Sequence, residues 1–201
     1  MFKRYPFAFK ASFSPSMGQP VEGGAINFLH SHCQKREVHY QNTSHDTVAF
    51  YFHTKGSSRW EKDWRKALGS SFSYSNVLAW RKYMEYFLLE RPQICINQII
   101  NEGMYGCGSW WLPQKRFYGG NFWAASCHYL QSLKPLEIYD ISESKWRWMA
   151  EGWITEDLRN AGNLTELNKF YSSSQPLHGL YRYMTTPEDY SDYYNLRRSH
   201  V

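Results

Sequence analysis

Three side chains that can donate hydrogen bonds follow directly on a run of residues typical of a buried strand. The run is TVAFYF (residues 47–52), and His53, Thr54 and Lys55 come next. At the end of a strand in an α/β protein, such side chains reach into the ligand crevice. Lys55 can act as a point charge for a phosphate, and Gly56 allows close approach of the backbone. The pattern predicts a binding site for a phosphate-bearing ligand.

A pair of glycines and a pair of aromatic residues lie together in the stretch FYGGNFWAASCHYL. Gly119 and Gly120 let the backbone approach a ligand, and Asn121 offers both a donor and an acceptor. Phe122 and Trp123 provide flat apolar faces that suit the C–H face of a sugar ring. The alternative is a plain turn into a helix, with the aromatic rings as anchors. We predict a sugar-binding loop.

A single carboxylate, that of Glu151, stands among tryptophans in WRWMAEGWI (residues 146–154). A carboxylate in apolar surroundings is suited to act as a general base near neutrality. The spacing equally allows an ion pair with an arginine or a helix cap. Glu151 is therefore our candidate catalytic base, with a structural role as the open alternative.

Arg81 lies in WRKYMEYF (residues 80–87), a segment with helical spacing. If this helix begins at the site, Arg81 faces the crevice, because helix N-termini attract anions. The alternative is a pair with Glu85, one turn further along a solvated face. The spacing alone favours this structural pair, and binding of a phosphate-bearing ligand by Arg81 is the alternative.

The elements that must position these residues alternate between strands, loops and helices. The buried run at residues 47–52 predicts a parallel strand, and a Gly-rich strand or loop follows at residues 103–111. Apolar spacing predicts helices at residues 22–35, 77–88, 93–100 and 123–133. Such alternation predicts an α/β fold with a mainly parallel sheet. Ligands then lie beyond the carboxyl ends of the strands, in the loops after Phe52, after Tyr105–Cys107 and around Gly119.

The chain length, composition and net charge are consistent with one domain that binds a small phosphorylated ligand. The chain has 201 residues, and without repeats or a linker we expect residues 1–201 to form a single domain. Its Tyr-rich stretch, about residues 155–201, is expected to wrap over the body. Aromatic residues make up 18%, more than a core of this size buries with every polar tip paired. A net charge of +5 is mild for a nucleic-acid binder.

The cysteines and the termini predict a cytoplasmic protein. Cys33, Cys95, Cys107 and Cys127 form no C-x-x-C pair, which argues against a common zinc site and favours buried thiols in a reducing compartment. The N-terminal apolar run is short and carries no cleavage signal. No stretch has the length of a membrane span. Peripheral contact with a membrane is neither required nor excluded.

Taken in chain order, five motifs resemble those of a family of small glycosyltransferases. They are YFHTKG, AWRKYMEYF, YGCG, GGNFWA and AEGWI, and they cover roughly residues 22–160. The family carries HTKG or HSKG after a strand, a WR-x-x-M-x-x-F helix, a Cys-Gly strand, GNFWW, and an acidic A-E-x-W stretch. In this chain GNFWW reads GNFWA, which leaves one aromatic platform fewer.

The resemblance implies a Rossmann-like, GT-A-type sheet and a role in polysaccharide biosynthesis. A nucleoside-diphosphate sugar would donate its sugar to the hydroxyl of a glycan or similar acceptor. His53, Thr54, Lys55, Gly56 and Arg81 would bind the donor. Glu151 would be the base, and residues 119–123 would face the sugar. The chain has no Asp-x-Asp motif, so the choice between Mn²⁺ or Mg²⁺ and basic side chains for neutralising the diphosphate stays open.

Three other classes of protein compete with this interpretation. A non-catalytic carbohydrate-binding protein would also need clustered Trp and Tyr, and a fold does not separate binding from catalysis. A single-strand nucleic-acid binder would use the same rings for stacking, but the interspersed Glu and Asp argue against it. A metal protein would draw on His30, His32, Cys33 and His39. On a helix His30 and Cys33 share a face while His32 points elsewhere, so we discount this site.

Overall fold

The computed structural model describes residues 21–39, 47–53, 74–137, 149–157 and 165–173. The helices are α1 (Val21–His39), α2 (Tyr74–Glu85), α3 (Pro92–Ile100) and α4 (Cys127–Ser132). The strands are β1 (Val48–Tyr51), β2 (Gly106–Gly108), β3 (Trp111–Leu112), β4 (Phe117–Tyr118), β5 (Trp123–Ser126) and β6 (Phe170–Ser172). Residues 149–157 are helical, and a 3₁₀ helix (Thr165–Lys169) precedes β6.

Four of the strands form one mixed sheet in the order β1-β5-β2-β6. β5 runs antiparallel to both of its neighbours, with Tyr51 opposite Trp123 in β1 and Cys107 opposite Ala124 in β2. Among the strands that the structure describes, only β2 and β6 are parallel. β3 and β4 form a separate antiparallel pair. The prediction of a Rossmann-like, GT-A-type, mainly parallel sheet is therefore wrong for the described part of the chain.

The parallel sheet was predicted from the apolar pattern of β1. A continuous apolar run resembles a parallel strand buried on both faces. In the structure Ala49 and Tyr51 are buried while Val48 and Phe50 are only partly buried. This alternation is typical of an antiparallel strand with unequal faces.

The sheet separates two apolar clusters. One face carries Tyr51, Trp123 and Ala125, which pack with α1, α4 and the helical segment at residues 149–157. The other face carries Cys107 and Ala124, which pack with α2, α3 and Phe122. Neighbouring residues of β5 thus enter opposite clusters, as the alternation of side chains along a strand requires.

Three of the helices lie where the apolar spacing predicted them, and a fourth begins later than predicted. α1, α2 and α3 lie where helices were predicted, and α1 extends beyond residue 35 to His39. The helix predicted from Trp123 begins only at Cys127, because residues 123–126 are held in the sheet by strands on both sides. Ser126 caps the N-terminus of α4, because its hydroxyl accepts a hydrogen bond from the amide of Tyr129 at 3.1 Å.

A π-helical turn (Tyr86–Glu90) joins α2 to α3. The amide of Arg91 donates to the carbonyl of Tyr86 at 2.9 Å, which closes the wider turn. Pro92 then starts α3, at a helical position where a missing N–H is tolerated. The side chains of Tyr86, Phe87 and Leu88 remain buried through this turn.

All four cysteines are paired in two disulfides, and the predicted buried thiols are therefore wrong. Cys33 is bonded to Cys127 and Cys95 to Cys107, across Cα–Cα distances of 5.1 and 5.3 Å. The partners are 94 and 12 residues apart in sequence, so only the fold shows the pairing. Disulfides form and persist in oxidising compartments. The predicted cytoplasmic location is corrected accordingly to an oxidising, secretory or extracellular environment.

Two further predictions concern membranes and the C-terminal stretch. In the part of the chain that the structure describes, no helix is both long and apolar enough to cross a membrane. Within the Tyr-rich stretch, residues 170–172 form β6, the fourth strand of the sheet, with Phe170 buried. Residues 158–164 and 174–201 lie outside the described residues, so the predicted wrapping over the body stays a prediction.

Candidate functional site

The imidazole of His53 connects two of the motifs. His53 lies two residues beyond the end of β1, and its Nε2 is 2.9 Å from the carbonyl oxygen of Gly120. Its Nδ1 is 3.3 Å from a carboxylate oxygen of Glu22, in the first turn of α1. Thr54, Lys55 and Gly56 lie outside the described residues. The structure thus places the first residue of HTKG directly against the GGNFW loop.

Both ring nitrogens of His53 face hydrogen-bond acceptors. A neutral imidazole has one N–H, whereas the imidazolium has two. The doubly protonated ring can donate to Glu22 and to the Gly120 carbonyl at once. The two contacts fix the orientation of the ring between α1 and the loop that precedes β5.

The loop at residues 119–123 turns sharply to reach this position. Gly120 has a φ of 89° and Asn121 a φ of 57°. Asparagine is among the few side chains that adopt this left-handed region readily. The turn is closed by the amide of Asn121, which donates to the carbonyl of Tyr118 at 2.9 Å.

The predicted sugar-facing residues are enclosed by protein. Phe122 is 0% and Trp123 1% exposed, and Gly119 and Gly120 are also buried. The ring of Phe122 lies 5.3 Å from that of His53. A Cβ on Gly119 would collide with Trp110, and one on Gly120 with Trp80 and Met84. These contacts give both glycines a packing role, and the sugar-binding role of the loop stays a prediction.

Arg81 pairs with Glu85 along α2. Its Nε is 3.2 Å from a carboxylate oxygen of Glu85, and both side chains are about one-third exposed. A pair of this kind contributes roughly a few tenths of a kcal/mol. The preceding residue, Trp80, packs over Gly120, so Arg81 follows a residue that touches the loop. Donor binding by Arg81 stays a prediction.

Glu151 is buried, with 7% of its surface exposed. It lies in the helical segment at residues 149–157, next to Ala150 of the first apolar cluster. In the same segment, Trp153 packs 6.2 Å from the ring of Trp123. The indole N–H of Trp153 donates to the carbonyl of Lys134 at 2.8 Å. The segment that carries Glu151 therefore packs on the residue that ends the GGNFW motif.

Two residues that sequence reasoning passed over also lie at this place. Glu22 was noted only as the start of a helix, and Tyr51 only as part of a strand. Tyr51 stacks between His53, at 6.0 Å, and Trp123, at 5.0 Å. Burial, and then the negative charge of Glu22, raise the pKa of Tyr51 well above its usual value. No sequence signal pointed to Glu22, since its partner His53 is 31 residues away by number and is reached only by folding.

Two of the residues considered for a metal site, Cys33 and His30, have other partners. Cys33 is in a disulfide, and Nε2 of His30 lies 2.9 Å from the carbonyl oxygen of Leu133. Across the described ranges, no group of three or more His, Cys, Asp or Glu side chains is placed to hold a metal ion.

The chain matches the domain of unknown function DUF8361 over residues 16–186, and it belongs to that family. No curated protein and no solved structure shows significant similarity to it. The match covers every motif discussed above.

Proposed function

We propose that this DUF8361 protein is a glycosyltransferase that moves a sugar from a nucleoside-diphosphate sugar to an acceptor hydroxyl. The observation that supports it best is the 2.9 Å contact between His53 and the carbonyl of Gly120. It brings together the two motifs, HTKG and GGNFWA, on which the resemblance to glycosyltransferases chiefly rests. Because the sheet is not of the GT-A type, the proposal depends on side-chain chemistry and not on fold.

In the proposed reaction the acceptor oxygen forms a bond to the anomeric carbon of the donor sugar. The bond from that carbon to the diphosphate oxygen breaks, and the nucleoside diphosphate leaves with the electron pair. Glu151 accepts the proton of the acceptor hydroxyl, as a general base. Lys55, close to His53 in sequence, neutralises charge on the departing diphosphate.

The disulfides indicate the kind of compartment in which the proposed reaction would take place. Two disulfide-bonded pairs indicate an oxidising environment. We therefore place the proposed transfer in the lumen of the secretory pathway or outside the cell, where the acceptor would be a glycan or a similar polyhydroxylated molecule. The donor must then be supplied to that compartment.

The test uses the full chain, purified with both disulfides intact. Thermal unfolding is measured with UDP-glucose, UDP-galactose, UDP-N-acetylglucosamine and GDP-mannose, each with and without Mn²⁺ or Mg²⁺. Release of UDP or GDP is then measured with oligosaccharide acceptors. We expect stabilisation by donors that share one nucleotide, and acceptor-dependent release of that nucleotide.

Two results would contradict the proposal in different ways. Binding of saccharides without release of UDP or GDP would identify a non-catalytic carbohydrate-binding protein. Absence of both binding and release, in a protein whose disulfides are shown to be intact, would remove sugar transfer from consideration.

A further inference from the structure

The side chain of His53 joins two elements that are far apart in sequence. Its Nδ1 lies 3.3 Å from Oε1 of Glu22, in the first turn of α1. Its Nε2 lies 2.9 Å from the carbonyl oxygen of Gly120, in the GGNFWA loop. The side chains of His53 and Glu22 are 18% and 23% exposed, so solvent reaches both groups although most of their surface is covered. One imidazole therefore connects the start of a helix to the loop that precedes β5.

The groups that face His53 from the described elements favour a positively charged ring. α1 contributes the carboxylate of Glu22, and the loop contributes the carbonyl of Gly120 and the uncharged ring of Phe122. β1 contributes Tyr51, whose ring lies 6.0 Å from that of His53. Burial, and then the charge of Glu22, raise the pKa of Tyr51 well above its usual value, so its phenol stays neutral where histidines titrate.

The nearest other charged groups on these elements and on α2 have partners of their own. α2 touches the loop through Trp80, which packs over Gly120. The next residue of α2, Arg81, pairs with Glu85 at 3.2 Å. Further along α1, the next titratable side chain after Glu22 is that of His30, two turns away and bonded to a backbone carbonyl. The carboxylate of Glu22 is therefore the charge that dominates the described surroundings of His53.

Both contacts of the ring can form fully only when it is protonated. The imidazolium has an N–H on each nitrogen and donates to Glu22 and to Gly120 at once. The neutral ring has one N–H, so its other nitrogen turns a lone pair towards an acceptor. The contact with the carboxylate then also loses its charge-assisted character. Loss of one proton thus removes one of the two connections between α1 and the loop.

We propose that His53 is a pH-sensitive link that holds the GGNFWA loop against the first turn of α1. The link is complete when the imidazole is protonated, and it weakens as the pH rises through the range in which histidine loses its charge, about pH 5 to 8. The folded protein offers the proton two acceptors that the unfolded chain lacks. It therefore binds the proton more tightly, and the stability that this residue contributes decreases as the pH rises. The link is independent of the proposed sugar transfer.

The test measures urea unfolding of the full chain, with both disulfides intact, between about pH 5.5 and pH 8. The proteins are the wild type, His53→Gln, Glu22→Gln and the double variant. His53→Gln keeps a hydrogen-bonding side chain that does not titrate, and Glu22→Gln keeps the shape of the side chain without its charge. Glu102→Gln, at an exposed carboxylate just beyond α3, is the matched control. The other histidines are present in every protein, so the difference from the wild type isolates His53.

At the acidic end we expect His53→Gln and Glu22→Gln each to raise the equilibrium constant of unfolding by about 10- to 100-fold, the range for a hydrogen bond to a charged group. The double variant should be no less stable than either single variant, because both remove the same link. At the alkaline end each effect should be smaller by about tenfold, since the neutral ring keeps one ordinary bond. Glu102→Gln should follow the wild type throughout.

Nuclear magnetic resonance of the folded protein locates the effect. The ring of His53 should lose its proton at a higher pH in the wild type than in Glu22→Gln, because the carboxylate favours the charged ring. The amide resonances of Gly120 and Asn121 should change over the same pH range as the ring, and should stop changing in His53→Gln.

Three results would overturn the inference. An effect of His53→Gln that is equal at both ends of the pH range would identify a packing contact that does not depend on protonation. An effect that grows as the pH rises would show that the fold prefers the neutral ring. Loop resonances that stay constant while the ring titrates would show that the proton does not act on the loop. If His53→Gln does not fold, the titration of ring and loop in the wild type and in Glu22→Gln decides between these outcomes.

Discussion

Nε2 of His53 and the carbonyl oxygen of Gly120 are 2.9 Å apart, although 67 residues separate them in sequence. The register of β1 and β5 explains this proximity. Tyr51 is paired with Trp123 in an antiparallel ladder, so the chain that leaves β1 passes the chain that enters β5. The contact joins HTKG and GGNFWA, the two most distinctive motifs of the sequence.

Replacing His53 by alanine removes both the contact with Gly120 and the contact with Glu22. We expect the Michaelis constant for the sugar nucleotide to rise about tenfold or more. The unfolding free energy should fall by about 1–3 kcal/mol, because the Gly120 carbonyl loses its partner. The measurements are steady-state kinetics and urea denaturation. Gln93→Ala, at an exposed residue of α3, is the control and should leave both quantities unchanged. A normal Michaelis constant in His53→Ala would contradict a role of this side chain in donor binding.

Glu151→Gln tests the proposed base at nearly constant size and shape. If Glu151 takes the acceptor proton, kcat should fall by about 10²- to 10⁴-fold with little change in the Michaelis constant for the donor. Glu156→Gln, five residues further along the same helical segment, should retain wild-type kinetics. Full activity of a folded Glu151→Gln protein would show that its carboxylate is not the base.

Gly120→Ala tests how closely the loop is packed. The new methyl group would collide with Met84 and Trp80, at a residue whose φ of 89° disfavours any side chain. Overpacking and backbone strain together should lower the unfolding free energy by about 2–4 kcal/mol. Gly24→Ala is the matched control, because Gly24 is the fourth residue of α1 and, apart from its own helix, no atom lies within 4 Å of its added Cβ. That change should raise the unfolding free energy by about 0.5 kcal/mol, since alanine is favoured over glycine in a helix. Equal effects of the two changes in urea denaturation would refute the packing of the loop described here.

The disulfides should differ in their contributions to stability. A cross-link restricts the unfolded chain more when it closes a longer loop. Loss of Cys33–Cys127, whose partners are 94 residues apart, should cost about 5 kcal/mol, and loss of Cys95–Cys107, whose partners are 12 residues apart, about 3 kcal/mol. The measurement compares the double variants Cys33→Ser/Cys127→Ser and Cys95→Ser/Cys107→Ser by denaturation. Peptide mapping without reductant checks the pairing, and free thiols in the native protein would contradict the two disulfides.

Alkaline pH should destabilise the protein through its buried tyrosines. Burial raises the pKa of Tyr51, Tyr118 and Tyr129 above the ordinary value near 10. Above pH 10 the unfolded chain loses these protons while the folded chain retains them, so the unfolding free energy decreases as pH rises. Below pH 10 these groups should contribute no pH dependence. Urea denaturation between pH 8 and 11 measures the effect, and the share of the tyrosinate absorbance that belongs to these three residues should appear only with unfolding. Titration of these three residues in the folded protein at their ordinary pKa would be inconsistent with their burial.

Local spacing predicted the helices well, and the sheet poorly. The apolar residues of α1, α2 and α3 repeat at the period of a helix, and that pattern depends on each segment alone. The direction of β1 depends on its partner β5, which begins 72 residues after Tyr51 and pairs Val48–Tyr51 with Trp123–Ser126. A short apolar run does not indicate which distant segment of the chain it pairs with. The disulfides were missed for the same reason.

The candidate site was predicted in part and for a different physical reason. The loops after Phe52 and around Gly119 were expected to be close because both would follow carboxyl ends of parallel strands. They are close because β1 and β5 are antiparallel neighbours. Glu22 and Tyr51 could not be recognised in this way, since one is an ordinary helix-start residue and the other an ordinary strand residue. Only their shared contact with His53 distinguishes them.

The bond between Cys33 and Cys127 makes the intervening chain a covalent ring. Three strands of the sheet, β1, β2 and β5, are part of this ring, and β6 joins it from outside by pairing with β2. A protease that cuts any one peptide bond within the ring produces no separate fragment until the disulfide is reduced. In an environment that contains proteases, the paired motifs of His53 and Gly120 therefore stay on one molecule after a single cleavage between them.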